Sequence, residues 1–273
     1  MPASVHVSRP AEGVALLLLD HPPKNFGTAE LAIKLLKAFA TEVAAGTKVA
    51  VLASDLPGYF MAHWSLAEIL DAPPLKPDDG KPKRPGLFDA IEQMPMIVIA
   101  ANHAQAWGGG SELSWACDLR IAGESATYGQ PEVALGLIPG GGGTTRLARL
   151  VGPGRCMELI LDGRPIGARQ AWQIGAVNRV VEDGALRAEA IAWAAWLARH
   201  PRDALVACKR SLVEGRDLGL AEARRNETRI FQEVSRTNEA VRIMREAGRA
   251  YEAESDSWSV LGFGRDGGGS QKS

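Results

Sequence analysis

The chain has 273 residues, of which 46% are hydrophobic and 23% are charged. A chain of this length and hydrophobic content can bury a substantial core as one large domain or two small ones. Its formal net charge of −1 argues against a nucleic-acid partner, because binding to a phosphate backbone usually needs a strongly basic face. Three widely spaced cysteines, no signal-peptide pattern and no apolar run of about 18 residues predict a cytoplasmic protein without a metal site or a membrane-spanning segment.

Short apolar runs rich in Val, Ile and Leu alternate along the chain with helical patterns, which predicts an α/β fold. The runs are bounded by turn residues, so buried strands are predicted at 14–19, 48–53, 96–101, 119–122 and 176–181. The alternating segment VHVSR is the predicted hairpin partner of the first strand, and Thr28 is the predicted N-cap of a helix that ends near residue 44. Further helices are predicted at 111–117, 144–150, 155–161, 168–174 and 185–199.

Two segments depart from this alternation. Residues 72–86, which include the basic run KPKRP, are rich in Pro, Asp and Gly and are predicted to form an exposed loop. Residues 201–258 have a helical but polar pattern, with too few apolar positions for an independent core. We therefore expect a core domain at 1–200, a helical region at 201–258 that packs on the core and on a neighbouring subunit, and a disordered tail at 259–273.

Three consecutive glycines, Gly108, Gly109 and Gly110, lie between a predicted strand and a predicted helix. A backbone without Cβ atoms can approach a ligand closely, and the N–H groups at a helix N-terminus are unpaired donors that can hold an oxyanion. The simpler alternative is a tight turn. A phosphate-cradling loop fits less well, because the Lys-Ser/Thr ending of such a loop and the spacing of a dinucleotide site are both missing.

Two acids lie next to glycine-rich segments: Glu112 follows the triplet, and Glu132 precedes GGGGTT. An acid between apolar residues is unfavourable unless it is hydrogen-bonded or functional, although Glu132 taken alone could be a surface acid that caps a turn. As a pair, two carboxyl groups in a sheltered site can act as base and acid if their environments separate their pKa values. The pairing therefore favours a catalytic site.

The same region resembles a known family. GGGSE, followed by CDLRIAGESATYGQPEVALGLIPGGGGTTRL, closely resembles the signature region of the crotonase superfamily, the enoyl-CoA hydratase/isomerase family. LLLLDHPPKNFGTAEL and GARQAWQIGAVNRVV are similar to that family's opening strand and turn and to its downstream helix and strand, so the resemblance covers about residues 5–215. It implies a crotonase-like spiral of ββα repeats with a C-terminal helical trimerisation region, and an assembly that is a homotrimer or a homohexamer.

The resemblance also implies an activity, that of an enoyl-CoA hydratase acting on an acyl-CoA substrate. The thioester oxygen would lie between two backbone N–H donors, those of Gly109 and Trp64, which stabilise the enolate. Glu112 would activate the water that adds at C3, and Glu132 would supply the proton at C2. No cofactor is implied, because coenzyme A is part of the substrate. Retention of both acids favours hydration over the isomerisation carried out by relatives with one acid.

One segment departs from the family pattern, because GYFMAHWSLAEIL stands where F-x-A-G-A-D-L is usual. His63 takes the place of the glycine and Trp64 that of the small donor residue, which leaves substrate size and carbonyl placement open. The substrate-binding residues that the resemblance implies are Ala62, Trp64, Ser65, Leu66, Gly108 and Gly109. His63 is either a structural residue beside the donors or an added acid or base. In the second case the reaction is double-bond isomerisation or C–C hydrolysis of a β-diketone, and a non-catalytic acyl-CoA-binding protein is the third alternative.

Overall fold

The computed structural model describes residues 2–73, 86–253 and 260–261. The predicted loop therefore lies outside the described residues at 74–85, which include the KPKRP run, and the predicted tail lies outside them at 259 and 262–273. The chain divides into two compact units, residues 1–209 and residues 210–273. The boundary between the units falls within the helix Arg202–Gly215.

The secondary structure of the described residues is as follows. The strands are β1 Ser4–Ala11, β2 Val14–Asp20, β3 Val49–Ser54, β4 Tyr59–Met61, β5 Ile97–Asn102, β6 Gln105–Trp107, β7 Leu119–Gly123, β8 Thr127–Gly129, β9 Ile166–Gly167 and β10 Arg179–Val181. The α-helices are α1 Ala29–Ala44, α2 Leu66–Asp71, α3 Leu87–Gln93, α4 Gly109–Ala116, α5 Arg146–Val151, α6 Pro153–Asp162, α7 Ala168–Gln173, α8 Leu186–Ala198, α9 Arg202–Gly215, α10 Leu220–Val234 and α11 Asn238–Ala253. Short 3₁₀ helices cover Pro131–Leu135 and Asp183–Ala185.

The strands form two sheets. The larger sheet has the order β1-β2-β3-β5-β7-β10, and the smaller one has the order β4-β6-β8-β9. The pairs β1–β2 and β8–β9 are antiparallel, and the other neighbours are parallel. Along the chain β3, β5 and β7 enter the larger sheet, and the strands that follow them, β4, β6 and β8, enter the smaller one. Each repeat thus gives one strand to each sheet and then a helical segment, which confirms the spiral of ββα repeats.

The central strands of the larger sheet, β2, β3, β5 and β7, are mostly apolar and are buried on both faces, whereas most of the edge strand β1 is exposed. In β2, Leu17 and Leu19 belong to the core cluster that contains side chains of α1, whereas Val14 and Leu16 belong to the cluster that contains side chains of α8. This division follows from the period of two in a strand. The predicted start of α1 is also confirmed, because the Thr28 hydroxyl accepts a hydrogen bond from Leu31 N–H at 3.1 Å.

Most predicted elements of the first unit correspond to observed ones. The strand predicted at 176–181 is wrong at its start, because β10 begins only at Arg179. The N–H groups of Ala176 and Val177 instead both donate to the carbonyl oxygen of Ala171, which closes the end of α7. The sequence pattern does not predict β4, β6 or β8, because a strand of three residues is too short to show a period.

The second unit consists of polar helices. Arg210 and Arg229 form ion pairs with Glu214 and Glu233, at 2.6 to 3.2 Å. Ile230 is buried, whereas large apolar side chains remain exposed at Leu220, Phe231 and Met244. These side chains are available for contact with another surface. Across the residues that the structure describes, no helix combines the length and the apolar character needed to cross a bilayer.

Candidate active site

The predicted site residues lie just beyond the carboxyl ends of three strands of the smaller sheet. Trp64 follows β4, Gly109 follows β6 and Glu132 follows β8. These strands are parallel neighbours in the order β4-β6-β8, so their carboxyl ends meet at one edge of the sheet. Residues that are far apart in the sequence are thereby brought to one place, which we call the carboxyl edge.

The glycine triplet makes the turn from β6 into α4. Gly108 has a φ of 49°, a conformation that favours glycine, and its N–H donates to Gly129 O at 2.8 Å. A Cβ atom on Gly110 would collide with the carbonyl oxygen of Met61 at the end of β4. Glycine at this position therefore allows α4 to pack directly against β4, and all residues of α4 are buried.

Two backbone N–H groups lie close together at the carboxyl edge, those of Trp64 and Gly109. A Cβ atom built on Gly109 would lie 3.1 Å from Trp64 N. Neither N–H donates to a protein acceptor within the described part of the chain. Two neighbouring donors that are free to bind the same ligand oxygen are what an oxyanion hole requires.

The segment that carries Trp64 is fixed by the loop before α1. Gly27 N–H donates to His63 O at 2.9 Å, and Ser65 N–H donates to Gly27 O at 2.8 Å. Both neighbours of Trp64 are thus bonded to the same glycine. These two bonds fix the backbone on each side of Trp64 and leave the Trp64 N–H group itself unpaired.

Asn25 anchors that loop from inside the core. Its side chain is fully buried, and its amide donates to Ser54 Oγ at 2.7 Å and to Phe60 O at 3.1 Å, while its Oδ1 accepts from His21 N–H at 2.6 Å. Asn25 thereby links the loop before α1 to the strand that leads to Trp64. The sequence points to this residue only through the resemblance of its turn to the family.

His63 and Trp64 depart from the family pattern, and the side chains of both pack against neighbouring residues. His63 Nδ1 lies 2.7 Å from Trp64 O, and the His63 ring lies 4.8 Å from the Phe26 ring, centroid to centroid. The Trp64 indole lies against Gly27, where a Cβ atom would come within 2.7 Å of Trp64 Cε3. It also meets Phe88 edge to face, with the ring centroids 6.1 Å apart.

Glu112 lies in the first turn of α4 and is only 5% exposed. Its Oε1 accepts hydrogen bonds from Gly141 N–H at 2.7 Å and from Gly143 N–H at 2.9 Å. Burial raises the pKa of Glu112, while these two bonds and the charge of Arg146 oppose that rise. Arg146 also donates to Gly141 O at 2.8 Å, so it supports the loop that binds the carboxylate. The sequence pattern gives no sign of this role for Arg146.

Glu132 lies in the 3₁₀ helix after β8 and is half-buried. A Cβ atom on Gly108 would lie 2.9 Å from Glu132 Oε1, so the carboxylate faces the glycine triplet. Burial, with a smaller contribution from the charge of Glu112, raises the pKa of Glu132 to about 7. The buried amide of Gln130, with its nitrogen turned toward Glu132, lies 3.0 and 2.9 Å from the two carboxylate oxygens. Gln130 is a second contact that the sequence pattern does not reveal.

The other predicted substrate-binding residues lie beside Trp64 and differ in exposure. Ala62 is buried, and its N–H donates to Lys24 O at 3.1 Å. Ser65 is the N-cap of α2, and its hydroxyl accepts from Glu68 N–H at 3.4 Å. Leu66 is 41% exposed, so its side chain can contact a ligand.

The site combines two free N–H donors with two carboxylates in unlike environments. Such a pair of donors can stabilise the negative charge that develops on a carbonyl oxygen. The Glu112 carboxylate, which two N–H bonds hold in place and whose pKa burial raises, can take a proton. The Glu132 carboxyl group, with a pKa of about 7, can hold a proton near neutral pH. In the described ranges no group of three or more His, Cys, Asp or Glu side chains is placed to hold a metal ion.

Comparison with known proteins agrees with this geometry. The family model described as enoyl-CoA hydratase/isomerase matches residues 9–254. A probable mitochondrial enoyl-CoA hydratase 2 of Arabidopsis thaliana is 34% identical over 229 residues, which are 83% of this chain and 76% of the relative. A probable enoyl-CoA hydratase of Rhizobium meliloti is 43% identical over 154 residues, or 56% of this chain and 60% of the relative. The crystal structure of an enoyl-CoA hydratase from Bacillus anthracis superposes with a TM-score of 0.79 at 30% identity, covering 92% of this chain and 96% of that chain.

Proposed function

The chain belongs to the enoyl-CoA hydratase/isomerase family, and we propose on that basis that it is an enoyl-CoA hydratase, a hydro-lyase that adds water across the 2,3 double bond of a 2-enoyl-CoA thioester. One observation carries the proposal: the free N–H groups of Trp64 and Gly109 lie close together, the Glu132 carboxylate faces the glycine triplet, and Glu112 lies in the first turn of the helix that begins at Gly109. Relatives named for hydration of enoyl-CoA support it.

The reaction follows from these positions. The thioester oxygen accepts hydrogen bonds from Trp64 N–H and Gly109 N–H, which polarises the conjugated double bond. Glu112 takes a proton from a water molecule as the water oxygen bonds to C3, and the electron pair of the double bond moves toward the thioester, forming an enolate. Glu132 then delivers a proton to C2. Loss of one oxyanion donor typically costs about 2.7–4 kcal/mol of transition-state stabilisation, so each free N–H group is expected to contribute substantially to the rate.

Replacement of each acid by its amide tests the proposal. We expect Glu112→Gln and Glu132→Gln each to lower kcat steeply for hydration of a short 2-enoyl-CoA, followed by the loss of enoyl absorbance. Glu124→Gln, at an exposed acid outside the carboxyl edge, is the matched control. Full activity in both site variants would refute the assignment of the acids.

The acyl-CoA substrate and the assembly are parts of the same proposal. No separate cofactor is needed, because the proton and the water come from the two acids and the solvent. A homotrimer or homohexamer is supported by large apolar side chains that the single chain leaves more than half exposed at Leu135, Ile138, Met157 and Leu161. Light scattering should give three or six chains, and Met157→Glu combined with Leu161→Glu should lower that number. A cytoplasmic location also stays a proposal, to be tested by cell fractionation.

A further inference from the structure

We infer that Trp64 and Phe88 close the acyl end of the site, so that this enzyme selects short-chain enoyl thioesters. The inference rests on the proposed function and names its substrate class. The positions of the proposed oxyanion donors and of the two acids set the direction of the acyl chain. With the thioester oxygen between Trp64 N–H and Gly109 N–H, C2 faces Glu132 and C3 faces Glu112. Atoms beyond C3 must therefore pass Glu112.

Phe88 occupies the space next to Glu112. A Cβ atom built on Gly141 would collide with Phe88 Cε2 and would lie 2.7 Å from Glu112 Oε2. The edge of the phenyl ring and the carboxylate thus converge on the same glycine. A chain that extends past Glu112 on this side meets the Phe88 ring.

The Trp64 indole extends the same wall back to the oxyanion donors. It lies against Gly27, which Met61 also approaches, since a Cβ atom on Gly27 would lie 3.0 Å from Met61 Cε. The indole meets the Phe88 ring at 78°. The residue that supplies one donor N–H therefore also supplies an aromatic surface. The family pattern F-x-A-G-A-D-L has alanine at this position, so the Trp64 part of the wall departs from that pattern.

The wall is held in place at α3, the helix that carries Phe88. Arg146 pairs with Asp89 and Glu92 of α3 and also donates to Gly141 O. One guanidinium group thus ties α3 to the loop that binds Glu112. Between these two acids, Lys209 Nζ donates to Ile91 O at 3.0 Å. Contacts from two directions thus hold the part of α3 that follows Phe88, which opposes movement of its phenyl ring for a longer chain.

Chain-length profiles test the inference. We would measure kcat/KM for hydration of 2-enoyl-CoA substrates with four, six, eight and ten acyl carbons. In a hydrophobic pocket, one methylene group changes kcat/KM by roughly 10- to 200-fold. We expect the wild type to prefer the four-carbon over the eight-carbon substrate by at least about 100-fold, and Phe88→Ala to reduce that ratio at least about 10-fold. Trp172→Ala, which removes an aromatic side chain that is 55% exposed, should leave the ratio unchanged.

Two further measurements keep the result decisive. Phe88→Leu removes the ring with less loss of packing and should shift the ratio in the same direction if Phe88→Ala does not fold. Calorimetric binding of butyryl-CoA and octanoyl-CoA, which cannot be hydrated, reports the pocket alone. A wild type that handles all four lengths alike, or a ratio unchanged in both Phe88 variants, overturns the inference. If no enoyl-CoA is hydrated but butyryl-CoA binds more tightly than octanoyl-CoA, the proposed function fails and the short pocket stands.

Discussion

The protonation of Glu132 should make the stability of the protein depend on pH, and Glu132→Gln should remove that dependence. The folded protein raises the pKa of Glu132 from 4.5 to about 7, mainly because the carboxyl group is buried. Below pH 4.5 the group is protonated in both the folded and the unfolded chain. Between pH 4.5 and 7 only the folded chain keeps the proton, so the free energy of unfolding falls as the pH rises. Above pH 7 the group is ionised in both states, and the whole penalty applies.

The size of the penalty follows from the same shift. A pKa rise from 4.5 to about 7 corresponds to roughly 3 kcal/mol of lost stability above pH 7. Glu132 is only half-buried, and the Gln130 amide can donate to both of its oxygens, so solvent and this bond reduce the value. We therefore expect Glu132→Gln to stabilise the protein at pH 8 by about 1–3 kcal/mol, with little effect near pH 4.5.

Urea denaturation of the wild type and the variant at several pH values between 4.5 and 8 measures this difference. Glu124→Gln serves as the control for the loss of an exposed carboxyl group outside the carboxyl edge. A difference between wild type and Glu132→Gln that is the same at every pH, or one in which the variant loses stability as the pH rises, would refute the reasoning.

Three further predictions concern the donors and their support. Gly109→Ala should lower kcat for hydration by about 10²–10³, because its Cβ would lie 3.1 Å from Trp64 N and fill the proposed oxyanion hole. A variant with the wild-type kcat would contradict the role of Gly109 as an oxyanion donor. His63→Ala should lower kcat by about 10- to 100-fold through misplacement of Trp64 while acyl-CoA affinity is kept, and His63→Asn should restore part of it. A complete loss of turnover in both His63 variants would assign proton transfer to His63 instead. Asn25→Ala should lower the free energy of unfolding by about 3 kcal/mol in urea denaturation, since it leaves buried hydrogen-bond partners unpaired. The control Asn238→Ala, at an exposed asparagine, should have almost no effect. Equal effects of the two variants would count against Asn25 as an anchor of the loop.

Most of the larger sheet could be predicted from the sequence because its strands, except the three-residue β10, are long enough to carry a pattern. The six residues of β3 are all buried, and an uninterrupted apolar run is what such a strand needs. The smaller sheet could not be predicted in this way, since β4, β6 and β8 have three residues each. The resemblance to the family implied ββα repeats, but the position of the smaller sheet beside the site is known only from the structure.

The candidate site likewise contains residues that could be predicted from the sequence and residues that could not. Glu112, Glu132 and Gly109 stand in motifs that the sequence displays, so they could be named in advance. Gln130 stands in the same motif, but its contact with Glu132 depends on how the backbone turns after β8. The supporting residues Asn25 and Arg146 act on partners more than twenty positions away in the sequence, such as Ser54 and Asp89, and no local pattern reports such contacts.

The placement of the proposed catalytic groups at the carboxyl edge puts part of the site outside the hydrophobic clusters. Trp64 and Glu132 lie on short segments after strands, whereas Gly109 and Glu112 lie in the first turn of α4, a helix that also contributes Leu113 and Trp115 to a core cluster. Changes in these segments can alter the chemistry while they leave most of the buried apolar surface intact. Residues in these segments can therefore be exchanged a few at a time, and His63 and Trp64, which stand where the family pattern has smaller residues, are one such exchange.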